Sequence, residues 1–180
     1  MKRRSLVTIV GASIGVGTVG AVSGAQQENY AEITFNDQKS NGDSVVVDHV
    51  LVEADGFITI HTWDLIAEQD GPNTIVGVSD LLTPGSYSAV EVSVFDDGTG
   101  YSEVFEQDRL ENGRHRLVAV PHRDMEQTGS FDFTTEPHTD IPFTEGTQTR
   151  DDLPVEDAVN DIARVVVAPG HGESAGNGPP

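Results

Sequence analysis

Between Ala31 and Val167, apolar residues recur at every second position in short runs, and each run ends in a cluster of Gly, Asp, Asn or Pro. A period of two places alternate side chains on opposite faces of an extended chain, so the pattern calls for short β-strands joined by turns. Ala31, Ile33 and Phe35 alternate with Glu32 and Thr34, and Asn41-Gly42-Asp43 turns into the next run. There Val45, Val47 and Leu51 share one face and Val46, Val50 and Val52 the other. Apolar residues on both faces predict a strand in the centre of a sheet. Further strands are expected over 57–63, 74–78, 87–95, 101–105 and 116–121, around Phe131 and Phe133, and over 163–167. Helical spacing is confined to 154–162, where Val155, Val159 and Ile162 follow an initial Pro154. The expected fold class is all-β: an antiparallel β-sandwich, immunoglobulin-like, with at most one short helix.

The first 25 residues stand apart from this pattern. Lys2, Arg3 and Arg4 precede an apolar run from Leu6 to Val22, and Ser23-Gly24-Ala25 closes it with small residues. That is the layout of a signal peptide, with cleavage expected after Ala25. Arg3-Arg4-Ser5-Leu6-Val7 has the form of a twin-arginine export signal, and the glycines at 11, 15, 17 and 20 keep the run only mildly hydrophobic. An uncleaved membrane anchor is the alternative for this segment, which is barely long enough to span a bilayer. The domains are therefore expected as signal peptide 1–25, one sandwich domain 26–168, and a disordered Gly/Pro-rich tail 169–180.

Charge narrows the choice of solvent. The 180 residues carry 30 Asp and Glu against 10 Lys and Arg, a formal net charge of −20. Cleavage after Ala25 would remove three of those cations and no acid. Such a surface repels itself in dilute buffer. In 1 M salt the Debye length falls to about 3 Å, so most of the repulsion vanishes. An acid excess with almost no lysine reads as adaptation to high salt. Nucleic acid is not expected as a partner, because no basic patch is visible along the sequence to neutralise phosphates. The absence of cysteine excludes disulfides, a lipid anchor on cysteine, and thiolate metal sites.

Candidate chemistry is sparse. Asp124, Glu126, Thr128, Ser130 and Asp132 alternate around Gly129, approximating the spacing of a calcium loop, in which hard oxygens come from alternate residues and a glycine permits the turn. Thr stands at the fifth ligand position, and Thr135 stands where such loops carry Glu, so a plain hairpin loop is the competing expectation. No two of the six histidines stand two or four residues apart. His61 shares a strand face with Phe57 and Thr59, and is expected as a hydrogen-bonded structural residue. His122, two residues before Asp124, becomes interesting if a third ligand folds beside it. Ser79 lies outside any G-x-S-x-G elbow. Asp96-Asp97 and Asp151-Asp152 are expected as solvated turn acids rather than glycosidase carboxylates.

The segments Ile33-Thr34-Phe35-Asn36-Asp37-Gln38, Gly56-Phe57-Ile58-Thr59-Ile60-His61, Gly77-Val78-Ser79-Asp80-Leu81-Leu82 with Gly85, and Val120-Pro121-His122-Arg123-Asp124 leading to Phe131-Asp132-Phe133 occur in that order. Together they resemble an uncharacterised exported β-domain family, a domain of unknown function, of halophilic archaea. The resemblance implies location and fold more than chemistry. The expectation is an exported, salt-adapted module at the cell surface or secreted, non-catalytic, whose partner is a cell-envelope protein or polysaccharide. No cofactor is expected beyond calcium, and contact with the membrane is expected only through an uncleaved signal. A secreted hydrolase and a calcium-dependent binding module are the alternatives.

Overall fold

The computed structural model describes residues 30–68, 72–95, 109–133, 139–144 and 158–168. The segments expected as signal peptide and tail, the strand expected at 101–105 and the acid pairs at 96–97 and 151–152 lie outside the described residues. Nine strands are described: β1 (Ala31–Thr34), β2 (Gln38–Ser40), β3 (Ser44–Val52), β4 (Gly56–Thr62), β5 (Ile75–Val78), β6 (Gly85–Ser93), β7 (Gly113–Asp124), β8 (Asp140–Pro142) and β9 (Asp161–Val167). One short helix, α1 (Asp64–Glu68), and a 3-10 turn at Pro72–Thr74 follow β4. Among the described residues no helix is long and apolar enough to cross a membrane.

The strands form two sheets. The first has the order β1-β3-β6 and the second β2-β9-β7-β4-β5, with β8 also paired to β7. An immunoglobulin-like sandwich divides its first, second and fifth main strands from its third, sixth and seventh in the same way. The ladders are antiparallel except for β2, which runs parallel to β9. That exception arises because the N-terminal edge splits. After β1 pairs with β3, Phe35–Asp37 carries the chain across to the other sheet. The crossing is tied down there: the Asp161 carboxylate accepts the Phe35 N–H at 2.8 Å, and Asp37 accepts the Arg164 N–H at 2.7 Å.

The space between the sheets is filled by the inward set of each strand. Val45, Val47, Val50 and Val52 come from β3, Ile58 and Ile60 from β4, Leu117 and Ala119 from β7, and Val165 and Val167 from β9, closed by Phe35 and Phe143. Each fully buried side chain of the larger kind contributes about 1.5–3 kcal/mol through removal from water. β3 is the central strand of its sheet, as expected, but its alternation is not the one the sequence suggests. Val45 and Val47 face the core, the phase reverses at Asp48-His49, and Val50 and Val52 face the same core. The partner strand kinks at the same level, where Ala89 takes φ 54, so the pairing register is unbroken.

Two local expectations fail. Asp161 and Ile162, placed in a helical stretch by spacing, begin β9, because the pairing Val118↔Ile162 draws them into the sheet. The short helix lies at Asp64–Glu68 instead. Phe131 and Phe133 lie in the connection between β7 and β8 rather than in a strand, and their rings cover the sheet from outside. Pro121 sits inside β7, yet disrupts little. Its carbonyl accepts from Phe143, so its nitrogen faces the same edge, where β7 changes neighbour from β9 to β8.

Candidate functional site

The outer face of the second sheet is covered over β4 and the C-terminal half of β7. Thr59 and His61 point outward from β4, and Val118, Val120, His122 and Asp124 from β7. The pairings Phe57↔His122, Thr59↔Val120 and His61↔Val118 bring these into one surface. Leu65 of α1 packs on Val118 and Val120, with Trp63 and Ile66 beside them. Phe131 and Phe133 close over His122, edge-on, with ring centroids 5.3 and 5.0 Å from the imidazole. His61 and His122 are consequently buried, with 2% and 1% of their surface exposed.

Hydrogen bonding holds each ring in place. Thr59 Oγ1 donates to the Val120 carbonyl at 3.1 Å, because a carbonyl can only accept. His61 Nε2, 2.7 Å from the same hydroxyl, is then the donor. His61 Nδ1 is hydrogen-bonded to Thr74 Oγ1 at 2.9 Å. The outcome is a hydrogen-bonded chain Thr74–His61–Thr59–Val120 that fixes the orientation of the His61 ring. His122 Nδ1 donates to the backbone carbonyl of Asp140 at 2.7 Å. Burial lowers the His122 pKa from 6.5 to about 4, although the Asp140 carbonyl pulls the other way.

The rings lie 6.4 Å apart at 19°, and among the described residues no acid is grouped with them closely enough to hold a metal ion. Asp140 meets His122 through its carbonyl, not its carboxylate. Ser79 is buried and uses its hydroxyl on the backbone, accepting the Ile58 N–H at 2.9 Å and donating to the Asp80 carbonyl at 2.8 Å. His49 bonds the Ser86 hydroxyl and His115 the Glu111 carbonyl, both away from this pair. His138 and His171 lie outside the described residues.

The loop expected to bind calcium forms the β7–β8 connection. Asp124 is buried, with its carboxylate accepting the Thr128 N–H at 3.1 Å and the Gly129 N–H at 2.8 Å. Gly129 has φ 72, which suits glycine at that turn. The Thr128 hydroxyl lies 3.0 Å from Asp132 Oδ2, and the Ser130 N–H donates back to it at 3.2 Å. Glu126 and Ser130 are exposed. Thus Asp124, Thr128 and Asp132 are brought together as a loop clasp. Among the described residues no three His, Asp or Glu side chains are grouped closely enough to hold a metal ion.

Asp140 joins this cluster unannounced by the sequence motif. Its carboxylate accepts the Asp132 N–H. Burial raises its pKa, and the charges of Asp124 and Asp132 add to the rise, against the lowering effect of the backbone bonds. Thr74 was also missed, since nothing near it in the chain announces a partner on β4. The Thr59-Ile60-His61 spacing was the one available signal, because a strand puts its first and third residues on one face.

Residues 31–158 match a family described as Domain of unknown function (DUF7282). Over 138 residues, 77% of the chain, it is 28% identical to Cell surface glycoprotein 2 of Haloarcula hispanica. Over 115 residues, 64% of the chain, it is 29% identical to Cell surface glycoprotein 1 of the same organism. The matched part spans only 12% and 10% of those relatives' lengths. No solved structure matches the chain. With most of the sandwich, from β1 to the residues just before β9, inside the matched segment, the chain belongs to the DUF7282 family, the kind of uncharacterised β-domain that its sequence segments resemble.

Proposed function

We propose that the chain is an exported, salt-adapted module of the cell surface that works by binding rather than by catalysis. The observation that carries this reading is the similarity over 138 residues to a protein named Cell surface glycoprotein 2. Support for a non-catalytic role comes from the outer-face groups. His61 and His122 are buried together with Thr59 and Thr74, and the Ser79 hydroxyl is engaged with backbone groups, so these side chains are closed to a substrate. Export by the twin-arginine route is supported by Arg3-Arg4 and the small residues ending at Ala25, and salt adaptation by the net charge of −20.

Expression of a C-terminally tagged chain in a halophilic host tests the location. Surface protease treatment of intact cells should remove the protein, and N-terminal sequencing should begin at Gln26. Arg3-Arg4→Lys-Lys should abolish export. Cytoplasmic retention of a chain beginning at Met1 would overturn the reading. A partner recovered by pull-down at molar salt, an envelope protein or polysaccharide, is the expected outcome for binding.

A calcium-dependent form of this module is the second reading: Asp124 and Asp132 lie near enough to the Asp140 carboxyl to influence it, although the three are not grouped closely enough to hold an ion as they stand. A bound ion would have to draw Asp124 away from the Thr128 and Gly129 amides. Melting with added calcium against melting with a chelator decides it: equal midpoints leave the acids as loop acceptors.

A further inference from the structure

The few cations of this acidic chain are not spread evenly. Of 10 lysines and arginines, Lys39, Arg114, Arg116 and Arg164 stand together on the open half of the second sheet's outer face, where β2, β9 and β7 run side by side. Lys39 lies beside Val166, Arg114 across from Val166, and Arg116 directly across from Arg164. All four are exposed, as are Val166 and Ile162. Like charges facing each other across a ladder are destabilising. Asp37, 3.5 Å from Arg164, and the Trp63 ring, 3.3 Å from the Arg116 guanidinium, offset part of that cost. Lys39 and Arg114 have no ion-pair partner among the described residues. Among the described residues internal contacts balance this grouping of like charges only in part, which leaves it open to an external counterpart.

The outer face of the first sheet carries the opposite sign. β1, β3 and β6 contain no lysine or arginine. Glu32, Asp48 and Glu91 are exposed there, and Glu32 pairs across from Leu51 and Glu91 across from Val46, so acids alternate with half-buried aliphatic residues. One side of the sandwich is basic and aliphatic, the other acidic and aliphatic.

We propose that these faces are complementary and that the domain docks head to tail. The basic face of β2, β9 and β7 seats on the acidic face of β1, β3 and β6 of a second copy. Because the two patches lie on opposite sides of one sandwich, the contact is heterologous and extends into rows of copies instead of closing as a symmetric pair. An anionic polysaccharide fits this face less well. Its aromatic ring, Trp63, already has Arg116 stacked on it, and the remaining apolar surface is aliphatic.

The interface is small. Three strands about 4.8 Å apart and some five residues long at about 3.3 Å each place it in the class of transient contacts. Dilute buffer opposes it, since two copies of charge −20 repel. Molar salt shortens that repulsion to about 3 Å and leaves contact pairs and aliphatic burial in place. This inference rests on the interaction-module reading, but its test does not depend on where the chain resides.

Sedimentation equilibrium of the full chain in molar chloride, across a wide concentration range, reads the association directly. The average mass should rise past that of a dimer at high concentration, and less so in 0.01 M salt. Lys39→Glu with Arg114→Glu, and separately Glu32→Lys with Glu91→Lys, should each weaken association about tenfold or more, with circular dichroism showing both variants folded. Mixing the two variants should restore association, since each retains one intact face. A wild-type chain that stays monomeric at every concentration overturns the proposal, as does growth unaffected by either variant. A monomeric wild type that binds polygalacturonate through Arg114 would assign the basic face to an anionic polysaccharide instead. A monomeric wild type whose basic-face variant is lost from isolated envelopes would assign it to another acidic protein. Either result overturns self-docking while leaving the interaction-module reading intact.

Discussion

His61 and His122 stack nearly parallel, 6.4 Å between ring centroids and 19° between planes, yet different groups hold them. His61 is held by two threonine hydroxyls, and His122 by one backbone carbonyl. The distinction gives the two rings different roles in stability.

Thr59 is the residue through which the His61 chain reaches the backbone of β7. Thr59→Val keeps the β-branched shape and removes the hydroxyl that links His61 Nε2 to the Val120 carbonyl. Loss of that link should cost about 1–3 kcal/mol, read as a lower urea midpoint. Thr59→Ser should recover most of it. Equal stability of the valine and serine variants would show that the hydroxyl contributes nothing.

For His122, the sign follows from its lowered pKa. Between pH 6.5 and about 4 the unfolded chain takes up a proton at this residue and the folded chain does not, so stability falls as pH falls through that window. The slope approaches about 1.4 kcal/mol per pH unit from this residue alone. Asp140 acts oppositely. Its raised pKa makes the folded state the better proton acceptor, so its contribution favours the fold as pH falls toward 3.8. The difference in unfolding free energy between wild type and His122→Gln therefore isolates the histidine, and it should shrink steadily from pH 7 to pH 4. A constant difference would contradict a neutral buried imidazole.

Gly77 marks where the two sheets meet at one edge. A Cβ there would run into the Ser93 carbonyl oxygen at the end of β6, while the next link, Phe95 N–H to Val76 carbonyl at 2.6 Å, holds the backbones together. Gly77→Ala should therefore cost about 1–3 kcal/mol, although alanine is small. Gly85→Ala, where a Cβ meets only ordinary contacts, is the control and should cost well under half as much.

Salt should matter more than any single residue. Native stability is typically about 5–15 kcal/mol, and a net charge of −20 on one small domain opposes it when the Debye length is about 30 Å, at 0.01 M salt. The melting temperature should rise steeply toward molar chloride. Replacing Asp96, Asp97, Asp151 and Asp152 by neutral residues should narrow the gap. A midpoint independent of salt would mean that the acids are already compensated, and melting in chelator would then test calcium as the agent.

The period of two was enough to announce β3, β4, β6, β7 and β9, and the stacked valines told which side chains seek shelter from water. It was silent on β2 and β8, three residues each, because Gln38-Lys39-Ser40 and Asp140-Ile141-Pro142 are too short to show a period. These segments are strands only because β9 and β7 offer them a free edge. The phase reversal in β3 was visible as valines on both apparent faces, but only the matching kink at Ala89 assigns all of them to one core.

By itself, the sequence determined the all-β class, the acidic surface and the lone threonine–histidine spacing on β4. Tertiary structure decided which residues became neighbours. Thr74 and His61, His122 and Asp140, and Arg116 and Arg164 meet across pairings between distant segments. A local pattern records whether a side chain is to be buried or wetted. Which strand lies beside which is settled by backbone hydrogen bonds and close packing between segments far apart in the chain, and no window along the sequence contains both partners.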